Sequence, residues 1–262
     1  MNQQKLDRSM YTLEFEDNFS SINLDLTKWF PYYLPQWKSR ESAKAFYRLD
    51  GNYLHLTIEE SQNPWAPEHN GDIRVSNFQT GVFAGPLGSS IGQHRFRDGL
   101  SIQEEQERLA LYTPTFGLIE LRAKAIKDPE CLVALWMIGF ENVPADSAEI
   151  CIMEIFGKEI NNLDALIGVG VKSHHDPRVK EDFSKVPVHI DVCDWHTYSV
   201  EWGPETISFY LDDICLKIVN QSIKYPMQLM LNIYEFSRNS GSGRYPKEFA
   251  VDWVRGHRLT NR

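Results

Sequence analysis

The 262 residues carry 27 Lys and Arg against 36 Asp and Glu, a formal charge of -9, and 42% apolar side chains. That apolar share is ordinary for a folded protein, and the basic residues are scattered rather than gathered into the positive face that phosphate backbones need, so nucleic acid is excluded as the expected partner. No run approaches the ~20 apolar residues of a helical membrane span, and one all-β domain over residues 1–262 is the expected organisation.

The first nineteen residues, MNQQKLDRSMYTLEFEDNF, lack the apolar core of a signal peptide, which makes the cytoplasm the expected compartment unless a leader has been removed. YLHLTI follows, with Leu54, Leu56 and Ile58 alternating as on a strand, and then the loop AGPLGSSIGQHRFRDG over 84–99. Strands are predicted over 117–126 (GLIELRAKAI), 131–138 (CLVALWMI), 148–155 (AEICIMEI) and 165–171 (ALIGVGV). KSHHDPRVKEDFSKVP, 172–187, reads as a second long loop.

From Trp195 onward the period is two. His196, Tyr198, Val200 and Trp202 share a face, GPE turns the chain, Ile207, Phe209 and Leu211 align, and Asp212–Asp213 turns it again into ICLKIV. MQLMLNIY and FAVDWVRGHRL add two strands, the last with Phe249, Val251 and Trp253 on one side. Many strands separated by short turns, without the long helices of βαβ units, predict an all-β fold: an antiparallel two-sheet sandwich or jelly roll. Four cysteines, Cys131, Cys151, Cys193 and Cys215, form no CxxC pair and imply no disulfide.

SAEICIMEIFG, 147–157, sets Glu149 and Glu154 five residues apart in an apolar run. Regular alternation puts Glu149 and Cys151 on one face and Glu154 on the other, but a single β-bulge near Ile152–Met153 returns Glu154 to the face of Glu149. Two carboxyls on one concave surface suit retaining glycoside hydrolysis, in which one attacks and the other protonates the leaving sugar. Two solvated glutamates on an edge strand are the plainer reading of the spacing.

ALWMIGFENVPADSAEICIMEIFG resembles the active-site strand pair of glycoside hydrolase family sixteen, the laminarinase, lichenase and agarase family. FEDNF, LDGNYLHLTI, TPTFGLIELRAKAI, HTYSVEWGPETISFYLDD, YPMQLMLNIY and VDWVR resemble it too, in the family's order. The resemblance implies a concanavalin-like jelly roll with a concave cleft, Glu149 as nucleophile, Glu154 as acid/base, and no required cofactor. It implies endo-acting hydrolysis of a β-linked polysaccharide, with β-1,3-glucan as the first substrate.

Two departures accompany it. Cys151 stands where the family has an aspartate, and a neutral thiol in place of that charge should lower the pKa of both glutamates. Leu132 and Val133 stand where many members have a tryptophan and a proline, which removes a sugar-stacking platform.

The resemblance also nominates Trp136, either stacking on sugar or packing in the core, one of His174 and His175, and Asn232 with nearby Glu235 as substrate-binding residues; Trp37, in the aromatic-rich WFPYYLPQW, either covers one end of the cleft or packs as a surface loop on the sandwich. Arg122 is expected in a structural ion pair. A structural calcium would take Asp252, Gly51 and Glu16. GSSIG, 88–92, matches a nucleophile elbow only formally, since no strand–helix context surrounds Ser90. The competing functional reading is a glucan-binding protein that keeps the fold with weak or no turnover; an esterase using Ser90 comes third.

Overall fold

The computed structural model describes residues 4–237 and 244–260. Its strands begin with β1 (Tyr11–Asp17), β2 (Phe46–Leu49), β3 (Leu54–Ile58), β4 (Arg74–Gln79), β5 (Gly81–Val82) and β6 (Leu109–Ala110). β7 (Gly117–Lys124), β8 (Cys131–Gly139), β9 (Glu149–Phe156), β10 (Ile160–Asn161), β11 (Asp164–Lys172) and β12 (Asp182–His189) follow. β13 (His196–Trp202), β14 (Ile207–Leu211), β15 (Ile214–Val219), β16 (Met227–Glu235) and β17 (Lys247–Leu259) complete the set.

Alternation sorts these strands, apart from the separately paired β5 and β6, into two packed antiparallel sheets. The outer sheet runs β15-β14-β13-β7-β17-β3-β2, with β1 also paired to β17, and the cleft sheet runs β10-β11-β9-β8-β16-β4, with β12 paired to β11. Their facing sides share one apolar core, in which Tyr198, Val200, Trp202, Ile207, Phe209 and Leu211 of the predicted meander meet Val133, Leu135, Met137, Leu229 and Leu231. Asp212 and Asp213 both have positive φ, 46° and 69°, the backbone that a two-residue hairpin turn with matching twist requires.

Two expectations change. Residues 182–189 form β12 rather than loop, in register from Asp164↔His189 to Val171↔Asp182. Pro187 is tolerated there because β12 is an edge strand. Trp253 does not continue the face of Phe249 and Val251: the register passes from Val251↔Ala123 to Trp253↔Arg122, so Asp252 is a bulge residue. Val254 enters the core in its place, and Trp253 turns outward beneath the Arg255 guanidinium, 4.2 Å from its ring centroid.

The other face of the cleft sheet is partly covered as well. Tyr33, Leu34, Trp37, Trp65, Leu100 and Ile102, from segments that precede β7, pack with Val75, Ile138 and Met230 in a second apolar cluster. Ser90 lies in the loop between Ala84 and Gly92, which form an isolated bridge, with neither strand before nor helix after it.

Candidate active site

In β9 the partners Trp136↔Cys151 and Leu135↔Met153 leave Ile152 as the extra residue of a bulge. Ile150, Ile152, Met153 and Ile155 therefore all enter the core, while Glu149 and Glu154 line the cavity on the opposite face with Ala134, Trp136, Lys172 and His174. Room for Glu154 comes from Gly168 across the ladder: a Cβ there would lie 3.2 Å from Glu154 Cβ and 2.7 Å from Phe183 Cζ.

Lys172 ends β11 opposite Glu149, on the same face as Gly168 and Gly170. Its Nζ lies 3.0 Å from Glu149 Oε1 and 3.1 Å from Glu154 Oε2. His174 has the left-handed φ of 46°, which aims its ring back over the strand end, and its Nε2 sits 2.8 Å from Glu149 Oε2. His94, from the 84–99 loop, stands edge-on to His174 at 4.9 Å and to Trp136 at 5.0 Å.

Electrostatics follow from these contacts. Burial alone would raise the Glu149 carboxyl, but the hydrogen bond from His174 and the charge of Lys172 prevail and hold it at about 2. Burial, then the neighbouring Glu154 and Glu149 charges, push the Cys151 thiol well above its ordinary value, so it stays neutral, 3.7 Å from Glu154 Oε2. Burial pushes His94 down to about 3, with His174 and Lys172 adding to it, so its ring is neutral near pH 7. Burial likewise raises Glu141 to about 8, although its Oε1 accepts the His94 backbone N–H at 2.6 Å.

Among the described residues, His94, Glu149 and His174 bring ligand atoms within 4.8 Å of one another, as do Glu149, Cys151 and Glu154. Two imidazoles and a carboxylate are zinc-type rather than calcium-type donors. In the second group the Lys172 ammonium already bridges both carboxylates.

A family model described as glycosyl hydrolases family 16 matches residues 111–255, the span holding β7–β16 and both glutamates. The chain belongs to this family. It is similar to glucan endo-1,3-β-glucosidase A1 of Niallia circulans, 23% identical over 93% of this chain and 37% of that protein. Among solved structures, the GlcNAcα1-4Gal releasing endo-β-galactosidase from Clostridium perfringens superposes with a TM-score of 0.81 at 31% identity, covering 97% of this chain and 64% of that one. The laminarinase from Flavobacterium sp. UMI-01 shares the fold, with a TM-score of 0.64 at 15% identity over 94% of this chain and 100% of its own. The chain thus spans well under half of the curated relative's length.

The residues expected to bind substrate in this family 16 chain are only partly brought together. Trp136 and His174 line the cavity. His175 does not: it is exposed, its Nε2 3.1 Å from the Arg95 carbonyl. Asn232 shares the cleft-side face of β16 but lies fully buried under the cover, donating to Asn77 Oδ1 at 3.1 Å and Tyr234 Oη at 2.9 Å. Glu235, an odd number of residues further on, faces the other way, pairing with Arg74 and accepting from Tyr245 Oη at 2.9 Å. Trp37 is fully buried in the cover, its Nε1 donating to the Gln93 carbonyl at 2.9 Å.

The expected calcium ligands do not fit that ion. Asp252 is taken by Arg122, the structural pair anticipated for that arginine, and Glu16 Oε1 accepts from Arg255 Nε at 2.7 Å. Gly51, with φ 86°, supplies only the turn between β2 and β3. Sequence reasoning also passed over Lys172, His94, Tyr33, Asn70, Ile73 and Tyr234, all of which line the cavity. Lys172 had a signal, since Gly168, Gly170 and Lys172 alternate along β11; the loop residues carry no periodicity that could have found them.

Proposed function

We propose that the chain is a retaining, endo-acting hydrolase of a β-linked glycan, with Glu149 as nucleophile and Glu154 as acid/base. The observation that carries this reading is the bulged strand that turns both carboxylates onto one cavity wall, with oxygens inside the short range that a covalent intermediate needs. Glu149, held ionised by His174 and Lys172, attacks the anomeric carbon. Glu154 gives its proton to the departing glycosidic oxygen, then takes one from the water whose oxygen displaces Glu149 from the sugar. Cys151 supplies no charge to these steps, and the Lys172 ammonium, beside both carboxyl groups, offsets the charge of Glu149 before attack and that of Glu154 once it has given up its proton.

β-1,3-Glucan is the first substrate, supported by the similarity to an endo-1,3-β-glucosidase. A second reading is a glycan ending in α-linked N-acetylglucosamine on galactose, favoured by the 31% identity to the Clostridium perfringens enzyme. Leu132, where many members have tryptophan, lines the cavity with no ring to stack on glucose, which also favours the second reading. Reducing-end release from laminarin and from a glycoprotein capped with GlcNAcα1-4Gal separates the two. Glu149→Gln is expected to abolish release, and Glu154→Gln to lower it by about 10²–10⁴-fold. Azide is expected to restore turnover to Glu149→Ala with inverted configuration. Binding of both glycans without release by the wild-type protein would leave a binding function instead.

A further inference from the structure

The groove leading to the carboxylates crosses β11, β9 and β8 and reaches β16 at Tyr234. On β16 and β4 the cleft-side residues Val75, Asn77, Gln79, Gln228, Met230 and Asn232 are all buried. What covers them is fixed by the sheet itself. Asn77 Nδ2 and Gln79 Nε2 both donate to the Tyr32 carbonyl at 2.9 Å, and the Gln79 and Phe30 backbones exchange hydrogen bonds. Gln36 Nε2 donates to the Gln93 carbonyl at 3.0 Å, tying two covering segments together.

The cavity side of this cover is a wall made by Tyr33, Asn70 and Ile73 with Tyr234. Tyr33 is wedged between Trp65, 4.8 Å away edge-on, and Tyr234, at 5.6 Å. At the opposite flank β12 has no buried residue, and its Phe183 stands beside Gly168 with the Lys172 ammonium 4.6 Å from its ring centroid. The cavity of about 320 Å³ is near the lower end of small-molecule sites, roughly 300–1,000 Å³.

A polymer cut at random positions has to leave the catalytic pair in both directions, and here one direction meets the wall of Tyr33, Asn70, Ile73 and Tyr234, backed by the buried, hydrogen-bonded cover. We propose that the site takes its β-linked glycan end first, with the terminal sugars against Tyr33, Asn70, Ile73 and Tyr234, and cleaves an internal linkage at a fixed distance from that end. This rests on the reading of Glu149 and Glu154 as the hydrolytic pair. The released product is a short oligosaccharide of one length, and the substrate is a glycan with a free terminus.

The test follows product masses over time from laminarin and from the GlcNAcα1-4Gal-capped glycoprotein, with a cyclic β-1,3-glucan as an end-free probe. One product mass from the earliest time point, and neither cleavage of the cyclic glucan nor its retention by the Glu149→Gln protein, are expected. A ladder of sizes, or cleavage of the cyclic glucan, overturns end-first binding while leaving the hydrolytic pair standing. No release by the wild-type protein and no retention of any probe by Glu149→Gln overturns the pair, and end-first binding with it. The Asn70→Ala/Ile73→Ala double variant, checked for folding by its melting curve, is expected to yield additional products at least one sugar longer. An unchanged product length in the folded variant overturns this wall as the measure of length.

Discussion

Lys172 sets one ammonium against both carboxylates, 3.0 Å from Glu149 and 3.1 Å from Glu154, where the middle position of the motif holds a neutral thiol. Burial works against ionisation of Glu149, and attraction to His174 and Lys172 overcomes it. The sign of a Lys172→Met substitution follows. Without the cation the Glu149 carboxyl rises from about 2, the nucleophile takes up its proton at higher pH, and the acidic limb of kcat/KM moves up by on the order of one pH unit. Cys151→Asp adds a negative neighbour and is expected to move the same limb in the same direction. Because the two changes share partners, their shifts should not add. A pH profile of each variant measures this; an acidic limb unmoved by Lys172→Met would show that the ammonium does not act on the nucleophile.

The bulges of β9 and β17 decide which of their side chains face where, and the two were unequally legible. In β9 the second glutamate demanded an extra residue, so the bulge could be inferred before any geometry; in β17 nothing about Asp252 set it apart, and Trp253 was assigned to the wrong face. β4 escaped notice for a different reason. All six of its residues are buried, one face in the core and the other under the cover, so the strand has no polar alternation to read. The β9 bulge makes its own prediction. Deleting Ile152 restores strict alternation through Glu149, Cys151 and Glu154, which keeps both carboxylates on the cleft side while removing one fully buried side chain. The deletion variant is expected to fold with a lower melting temperature, the loss comparable to the ~2–5 kcal/mol of an Ile→Ala change in a core. It should also hydrolyse above the Glu149→Gln background. A folded variant without activity would show that the kink itself, beyond the shared face, sets the carboxyl separation.

At the scale of the molecule, the sandwich and its catalytic strand were readable because a two-sheet core imposes period two on most of its strands, whereas the cover was not, being irregular segments whose contacts are all distant in sequence. The misplaced Glu235 belongs to this scale. Its nearness to Asn232 in sequence points to the cleft, yet it sits among charges at one end of the sandwich. There Arg74 of β4 and Glu235 of β16, both in the cleft sheet, meet Tyr245 just before β17 of the outer sheet, and Lys247 of β17 pairs with Asp128 just before β8. Arg74 and Glu235 are both almost wholly excluded from water, so removing one partner leaves the other as a buried charge, at a cost of about 3–5 kcal/mol. Glu235→Ala is therefore expected to lower the melting temperature by on the order of 10 °C in a chain of this size. Turnover per folded molecule should stay unchanged, because the side chain points away from the cavity. Thermal melts combined with kcat and KM at a temperature where the variant remains folded measure both effects. A raised KM with an unaltered melting curve would return Glu235 to the substrate and take it out of the framework.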